Sequence, residues 1–151
     1  MDRIDRKIIE VLIDDGRASV EKVAERVGLS PTPARRRIRR LEEDGVITGY
    51  RATVDAEKCG LDLALHALIT LTVGDEEIMA KFEAEVMKMP EVQRCDLIAG
   101  ENCYIVSIRI KNMKTYNDYL RKTLVNLPGV YAVETRVVIG SVKDSAHLAM
   151  A

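Results

Sequence analysis

The densest chemistry in the chain lies in Pro31-Thr32-Pro33-Ala34-Arg35-Arg36-Arg37-Ile38-Arg39-Arg40-Leu41, where five arginines fall with no acid among them. At about 100° per residue, a helix here gathers Ala34, Ile38 and Leu41 on one side. Arg36, Arg39 and Arg40 then point directly away, with Arg35 and Arg37 on the flanks. Such a fan of guanidinium groups suits phosphate oxygens. In a major groove, arginine also reads guanine through two parallel hydrogen bonds, worth about 1–3 kcal/mol of discrimination. Ser30 and Thr32 add hydroxyls, and the helix amino end is expected to offer free N–H groups to an anion. The first two turns of a recognition helix reach base edges, which selects Thr32, Arg35, Arg36 and Arg39. Arg40 and the later Arg51 are expected at phosphates. Taken alone, the run could equally be a solvated charged face, and its surroundings decide against that.

Other chemistries find little support. There is no nucleophile motif, no paired carboxylates at useful spacing and no glycine-rich phosphate loop, so an enzyme is disfavoured. Glu42-Glu43-Asp44 reads as a helix end. Cys59, Cys95 and Cys103 are far apart and lack a C-x-x-C pair, and His66 and His147 do not complete a metal site. The set implies a reducing compartment, no disulfide framework, no metal and no cofactor. Cys59 and Cys95 are expected as small buried hydrophobes.

The elements that must position the arginines precede and follow them. Ile4, Ile8, Val11 and Leu12 form the stripe of a half-buried helix, with Asp2 as N-cap and Asp14-Asp15-Gly16 at its end. A second helix starts at Ser19, shows Val20, Val23, Ala24 and Val27 on one face, and stops at Gly28. The third runs from Ser30 to Gly45, with Pro31 and Pro33 tolerated in the first turn. Only Gly28-Leu29-Ser30 joins helices two and three, the spacing of a helix-turn-helix. Val46 to Val54 is β-prone and reads as a short hairpin or wing followed by an outgoing strand.

Charge follows the same division. The 151 residues carry 23 Lys+Arg and 24 Asp+Glu. Residues 1–54 hold 12 against 10, and residues 55–151 hold 11 against 14. A near-neutral total therefore averages a basic reading head and an acidic remainder. At 47% apolar and 31% charged residues the composition is globular. No stretch approaches the roughly 18 apolar residues of a membrane span, and the charged amphipathic opening does not read as a signal peptide. A cytoplasmic protein with no membrane partner is expected.

Residues 55–60 form a polar break, and 61–151 contain a duplication. Leu63 to Val73 alternates as a strand. Ile78, Met79, Phe82, Val86 and Met89 form a helical stripe closed by Pro90, and Val92 to Ala99 is a strand. After the turn Gly100-Glu101-Asn102, Cys103 to Ile110 is a strand. Tyr116, Leu120, Thr123, Leu124 and Leu127 form a second stripe, and Val130 to Ile139 is the last strand. Met89-Pro90-Glu91-Val92 recurs as Leu127-Pro128-Gly129-Val130, 38 residues on. Two βαβ units give βαββαβ, a ferredoxin-like antiparallel sandwich, and an α+β chain overall. One sheet face is left bare. Because Leu68 lies opposite the Leu65, Ala67, Ile69 side, the strand is apolar on both faces, and a second copy of the chain is expected to cover it.

Asp5-Arg6-Lys7-Ile8-Ile9, Asp15-Gly16-Arg17, Val27-Gly28-Leu29-Ser30-Pro31-Thr32-Pro33 and Arg36-Arg37-Ile38-Arg39-Arg40-Leu41-Glu42-Glu43-Asp44-Gly45-Val46-Ile47-Thr48-Gly49-Tyr50 together resemble the Lrp/AsnC family of transcriptional regulators. The resemblance covers almost the whole chain. It implies a winged helix-turn-helix domain over 1–54 that binds double-stranded DNA, and an effector-binding and oligomerisation domain over 61–151. It also implies a homodimer assembling to an octamer, and an amino acid effector bound at contacts between dimers. The family's middle-strand turn, commonly Gly-x-x-Asp-Tyr, lies at the effector site and maps to Gly100, Glu101, Asn102, Cys103 and Tyr104. Cys103 replaces the aspartate that would receive an ammonium group, and Glu101 or Asn102 is the expected substitute. A different class of function is an amino-acid-sensing subunit that docks on a metabolic enzyme. The five-arginine helix disfavours it, since a docking face would be more apolar.

Overall fold

The computed structural model describes residues 1–72, 76–99 and 103–143. They divide into two compact units, Met1–Thr53 with Lys143, and Val54–Val142.

The first unit is helical. Helix α1 (Arg3–Asp14) is opened by a capping box: Asp2 accepts from the N–H groups of Ile4 and Asp5, while Asp5 accepts from the N–H of Asp2. Helix α2 (Val20–Val27) is capped by the Ser19 hydroxyl and ends on Gly28 in the left-handed region at φ 72°. Helix α3 (Pro31–Glu43) starts three residues later with proline in its first turn. Ile8, Ile9, Val11, Val23, Val27 and Leu41 form the buried centre, with Ile38 and Ile47 packed against it.

The expected hairpin at 46–54 is absent, since these residues form no β ladder. Among its described residues the unit offers no sheet edge to pair with, and the chain instead folds back on α3. The N–H groups of Val46 and Ile47 both donate to the Leu41 carbonyl, and Tyr50 donates its hydroxyl to Glu42 at 2.9 Å.

The second unit holds β1 (Leu63–Leu71), α4 (Glu76–Val86), β2 (Val92–Ile98), β3 (Cys103–Ile110), α5 (Met113–Lys122), a short 3-10 turn (Leu124–Asn126) and β4 (Val130–Val137). The sheet is antiparallel in the order β2-β3-β1-β4, the βαββαβ arrangement. The two copies of the repeat lie at matching places, each leading from a helical segment into a strand. On the covered face Leu65, Ala67, Ile69, Leu71, Tyr104, Val106, Ile108 and Ile110 pack with Phe82, Val86, Tyr116 and Leu124. Residue Val73, at the end of the expected first strand, lies outside the described residues. Cys59 departs from its expected burial: it is exposed in the turn that follows Asp55, whereas Cys95 is half-buried.

Candidate nucleic-acid interface and effector turn

Ala34 and Leu41 anchor α3 in the unit's centre, at 0% and 2% exposure. This fixes the outward direction of the other side chains. Ser30 is exposed at the N-cap, and its side chain makes no capping hydrogen bond. Its hydroxyl is therefore available to a phosphate, as is that of exposed Thr32. The helix end is a poorer anion cradle than expected. Pro31 and Pro33 have no N–H, and the N–H of Ala34 is spent on the Ser30 carbonyl. Thr32 supplies the remaining donor of that turn.

The five arginines are not equivalent. Arg35 stands 3.8 Å from Glu21 on α2, with both side chains largely in solvent. Arg39 pairs with Glu43 one turn along its own helix at 2.7 Å. Pairs this exposed are worth little and exchange readily for a phosphate. Arg36 is exposed at the apex of the fan, and no ion pair holds it among the described residues. Arg51 is exposed beyond the fold-back segment.

Arg37 and Arg40 turn the other way, toward α1. Arg37 Nη1 reaches Asp2 at 2.6 Å and Asp5 at 2.8 Å, and Arg40 Nη2 reaches Asp5 at 2.6 Å. Asp5 is wholly buried. Burial pushes its carboxyl up, but the Asp2 N–H and the two guanidinium groups outweigh this and hold it below the ordinary carboxylate value. The Asp2 carboxyl is pulled down to about 2, first by the Asp5 N–H and then by Arg37. Arg40, expected directly outward, is thus drawn to one flank by a partner thirty-five residues earlier. Ser30, Thr32, Arg35, Arg36 and Arg39 are the exposed polar side chains along the outer side of α3, with Arg40 half-exposed and tethered. Asp5 escaped the sequence reading. Its signal was its angular place on α1 between the buried Ile8 and Ile9, where a carboxylate needs a cation.

Of the expected effector turn, Gly100, Glu101 and Asn102 lie outside the described residues. Cys103 and Tyr104 begin β3 and face opposite sides of the sheet. Cys103 is half-buried, opposite Thr70 of β1 and Ile98 of β2. Tyr104 is buried in the covered face, its ring centroid 4.7 Å from that of Phe82. Burial, then the neighbouring Glu83 carboxylate, raise its phenol above the ordinary value. Its hydroxyl donates to Glu83 Oε1 at 2.8 Å, so Tyr104 ties the start of β3 to α4.

A helical reading head followed by a βαββαβ unit defines a DNA-binding regulator with a separate ligand-binding domain. Comparison with known proteins agrees along the chain. Residues 1–48 match the family described as winged helix-turn-helix DNA-binding, and residues 66–148 match the Lrp/AsnC ligand binding domain. The chain belongs to the Lrp/AsnC family of transcriptional regulators. It is 41% identical over 148 residues to the leucine-responsive regulatory protein of Salmonella typhimurium, covering 98% of this chain and 90% of the relative. Its fold matches the crystal structure of a transcriptional regulator from Neisseria meningitidis in complex with L-Met, with a TM-score of 0.93 and 30% identity over 99% of this chain and 96% of that one. An AsnC family transcriptional regulator from Agrobacterium tumefaciens matches at 0.92 and 28%, covering 99% and 97%.

Proposed function

We propose that two copies of the chain read a pseudo-palindromic duplex through Ser30, Thr32, Arg35, Arg36 and Arg39 of each α3, with Arg51 at a flanking phosphate and Arg40 held instead by Asp5. The observation that carries this reading is the exposed Arg36, free of ion pairs among the described residues, at the centre of a helix whose opposite face is locked in the core.

The sheet supports the pairing of copies. Its uncovered face carries Leu68, Ile105, Cys103 and Ile98 across β1, β3 and β2, flanked by the ion pairs Arg94–Asp96 and Arg136–Glu134. An apolar centre within a polar rim is the usual anatomy of a protein interface. A homodimer through this face, assembling further to an octamer, gives the paired reading heads that half-sites require. The reading head spans 1–54, residues 55–60 link it, and 61–151 assemble and sense. The effector is an amino acid held near Gly100, Glu101, Asn102, Cys103 and Tyr104. The L-Met complex of the Neisseria relative supports that ligand class. Binding shifts DNA affinity or assembly by favouring one of two arrangements, and no reaction is catalysed. No helix among the described residues is long and apolar enough to cross a membrane, in keeping with a cytoplasmic regulator.

Two measurements test this. Sites selected from a random duplex pool should contain inverted half-sites about 10 base pairs apart, or a multiple of that. A thermal-shift screen of the twenty amino acids should raise the midpoint with one or a few. Selected sites without symmetry, or no shift with any amino acid, would contradict the corresponding part.

A further inference from the structure

We infer that the Asp2–Asp5 carboxylate pair is a specificity device of the reading head: it withholds Arg37 and Arg40 from DNA phosphates and fixes α3 against α1. The inference rests on the reading above that α3 meets DNA, and it deepens that reading by dividing the five arginines between two tasks.

The geometry is specific. Asp5 is at 0% exposure, yet both its oxygens are engaged: Oδ1 by Arg37, and Oδ2 by Arg40 and by the N–H of Asp2. Arg37 Nη1 also donates to Asp2 Oδ2, so one nitrogen bridges the two carboxylates. The two arginines stand three positions apart on α3 and so share one flank. Their partners are the two residues of the α1 capping box. Arg37 is mostly covered, with its side chain at 24% exposure, and Arg40 is at 51%.

A phosphate contact supplies affinity without sequence information. An arginine free to reach any duplex therefore strengthens non-target binding as much as target binding. Neutralising two of five cations within the protein lowers that common term. It also holds α3 at one angle to α1, so that Arg36 meets base edges in one geometry. Arg35 and Arg39, by contrast, sit in exposed pairs that phosphate can displace. The buried pair is not exchanged so easily, because leaving Asp5 unpaired strands a buried charge.

Asp2→Asn and Asp5→Asn test this against the wild type, on a duplex selected by the wild type and on one of unrelated sequence. Asn remains a good N-cap, so Asp2→Asn keeps α1 while freeing one hold on Arg37. Each arginine released to phosphate should steepen the log–log salt slope on unrelated DNA by about 0.9, which is a further loss of about 3- to 4-fold between 50 and 200 mM salt. Low-salt affinity for unrelated DNA should rise, affinity for the selected site should not, and their ratio should fall. In an Arg37→Gln/Arg40→Gln background neither aspartate change should alter the slope. If Asp5→Asn fails to fold, the Arg37→Gln/Arg40→Gln protein decides: withheld arginines leave the wild-type slope on unrelated DNA unchanged, and a slope shallower by about 0.9 per arginine overturns the inference. A folded Asp5→Asn with an unchanged slope, or with equal losses on both duplexes, would also overturn the inference and leave the network merely structural. Salt-insensitive binding by the wild type would instead refute the placement of α3 on DNA, and this inference with it.

Discussion

Replacing Leu68 by Asp should split the proposed dimer without unfolding the protomer. Leu68 lies at the middle of β1 on the uncovered face, half-buried, with Ile105 opposite on β3 and Glu134 opposite on β4. Its side chain is outside the buried cluster of Leu65, Ala67 and Ile69, so the protomer's core is untouched. Completing the burial of a leucine contributes about 1.5–3 kcal/mol at most. A two-fold interface counts the change twice, giving roughly 3–6 kcal/mol. That range corresponds to a dissociation constant weaker by about 10²–10⁴. The new carboxylate beside Glu134 adds like-charge repulsion and a desolvation cost, so the upper end is expected. Sedimentation velocity over a concentration series should show a dimer or larger species for the wild type and monomer for Leu68→Asp at the same concentration. Circular dichroism should be unchanged. A variant that keeps the wild-type assembly and affinity would refute the covered-face argument, as would a wild type that stays monomeric.

Three further outcomes follow from the geometry. Gly129 has φ +71°, and a Cβ there would lie 2.1 Å from Ile78 Cγ2, so Gly129→Ala should lower the thermal midpoint by several degrees, at a cost of about 1–3 kcal/mol from overpacking plus the left-handed strain. Tyr104→Phe removes the hydroxyl held by Glu83 and should cost about 0.5–1.5 kcal/mol or somewhat more, given the carboxylate acceptor, with Phe82 stacking retained; denaturant midpoints measure it. Because the Asp2 carboxyl titrates at about 2 when folded and near 3.8 otherwise, its stabilisation is present above pH 4 and is lost as pH falls toward 2. Asp5 is shifted in the same direction. Thermal midpoints measured down this acid range should drop for the wild type and drop less for Asp2→Asn.

The periodic parts of this fold were legible because their periods are local. The stripes of α1, α2 and α3, the Gly28 stop and the Pro31 start each depend on neighbours within a few residues, as does the strand alternation of β3. The repeat that predicted βαββαβ is two short segments at one spacing. The misses depend on distance. Asp5 meets Arg37 and Arg40 across thirty-two and thirty-five positions, and no local pattern names a partner that far away. Val46 to Val54 has strand propensity, but propensity yields no ladder without an edge, and the Leu41 carbonyl took the first two donors. Cys59 was assigned by residue type, whereas its turn sets its exposure. Tyr104 shares parity with Val106, Ile108 and Ile110, so its inward ring could have been read from the alternation alone. The prolines that mark the start of α3 also remove the donors that an anion would use, a consequence contained in the sequence itself.

The central claim is that α3 reads DNA with Arg36 at its apex. Binding isotherms of wild type and Arg36→Ala on a selected duplex, across a salt series, test it most directly. The wild type should lose affinity linearly in log–log form as salt rises, through phosphate contacts from both protomers. Arg36→Ala, a change at an exposed residue that leaves the core intact, should bind the selected site about 1–3 kcal/mol more weakly and discriminate less against unrelated sequence. Salt-independent binding by the wild type, or equal affinity and discrimination in the two proteins, would contradict the account.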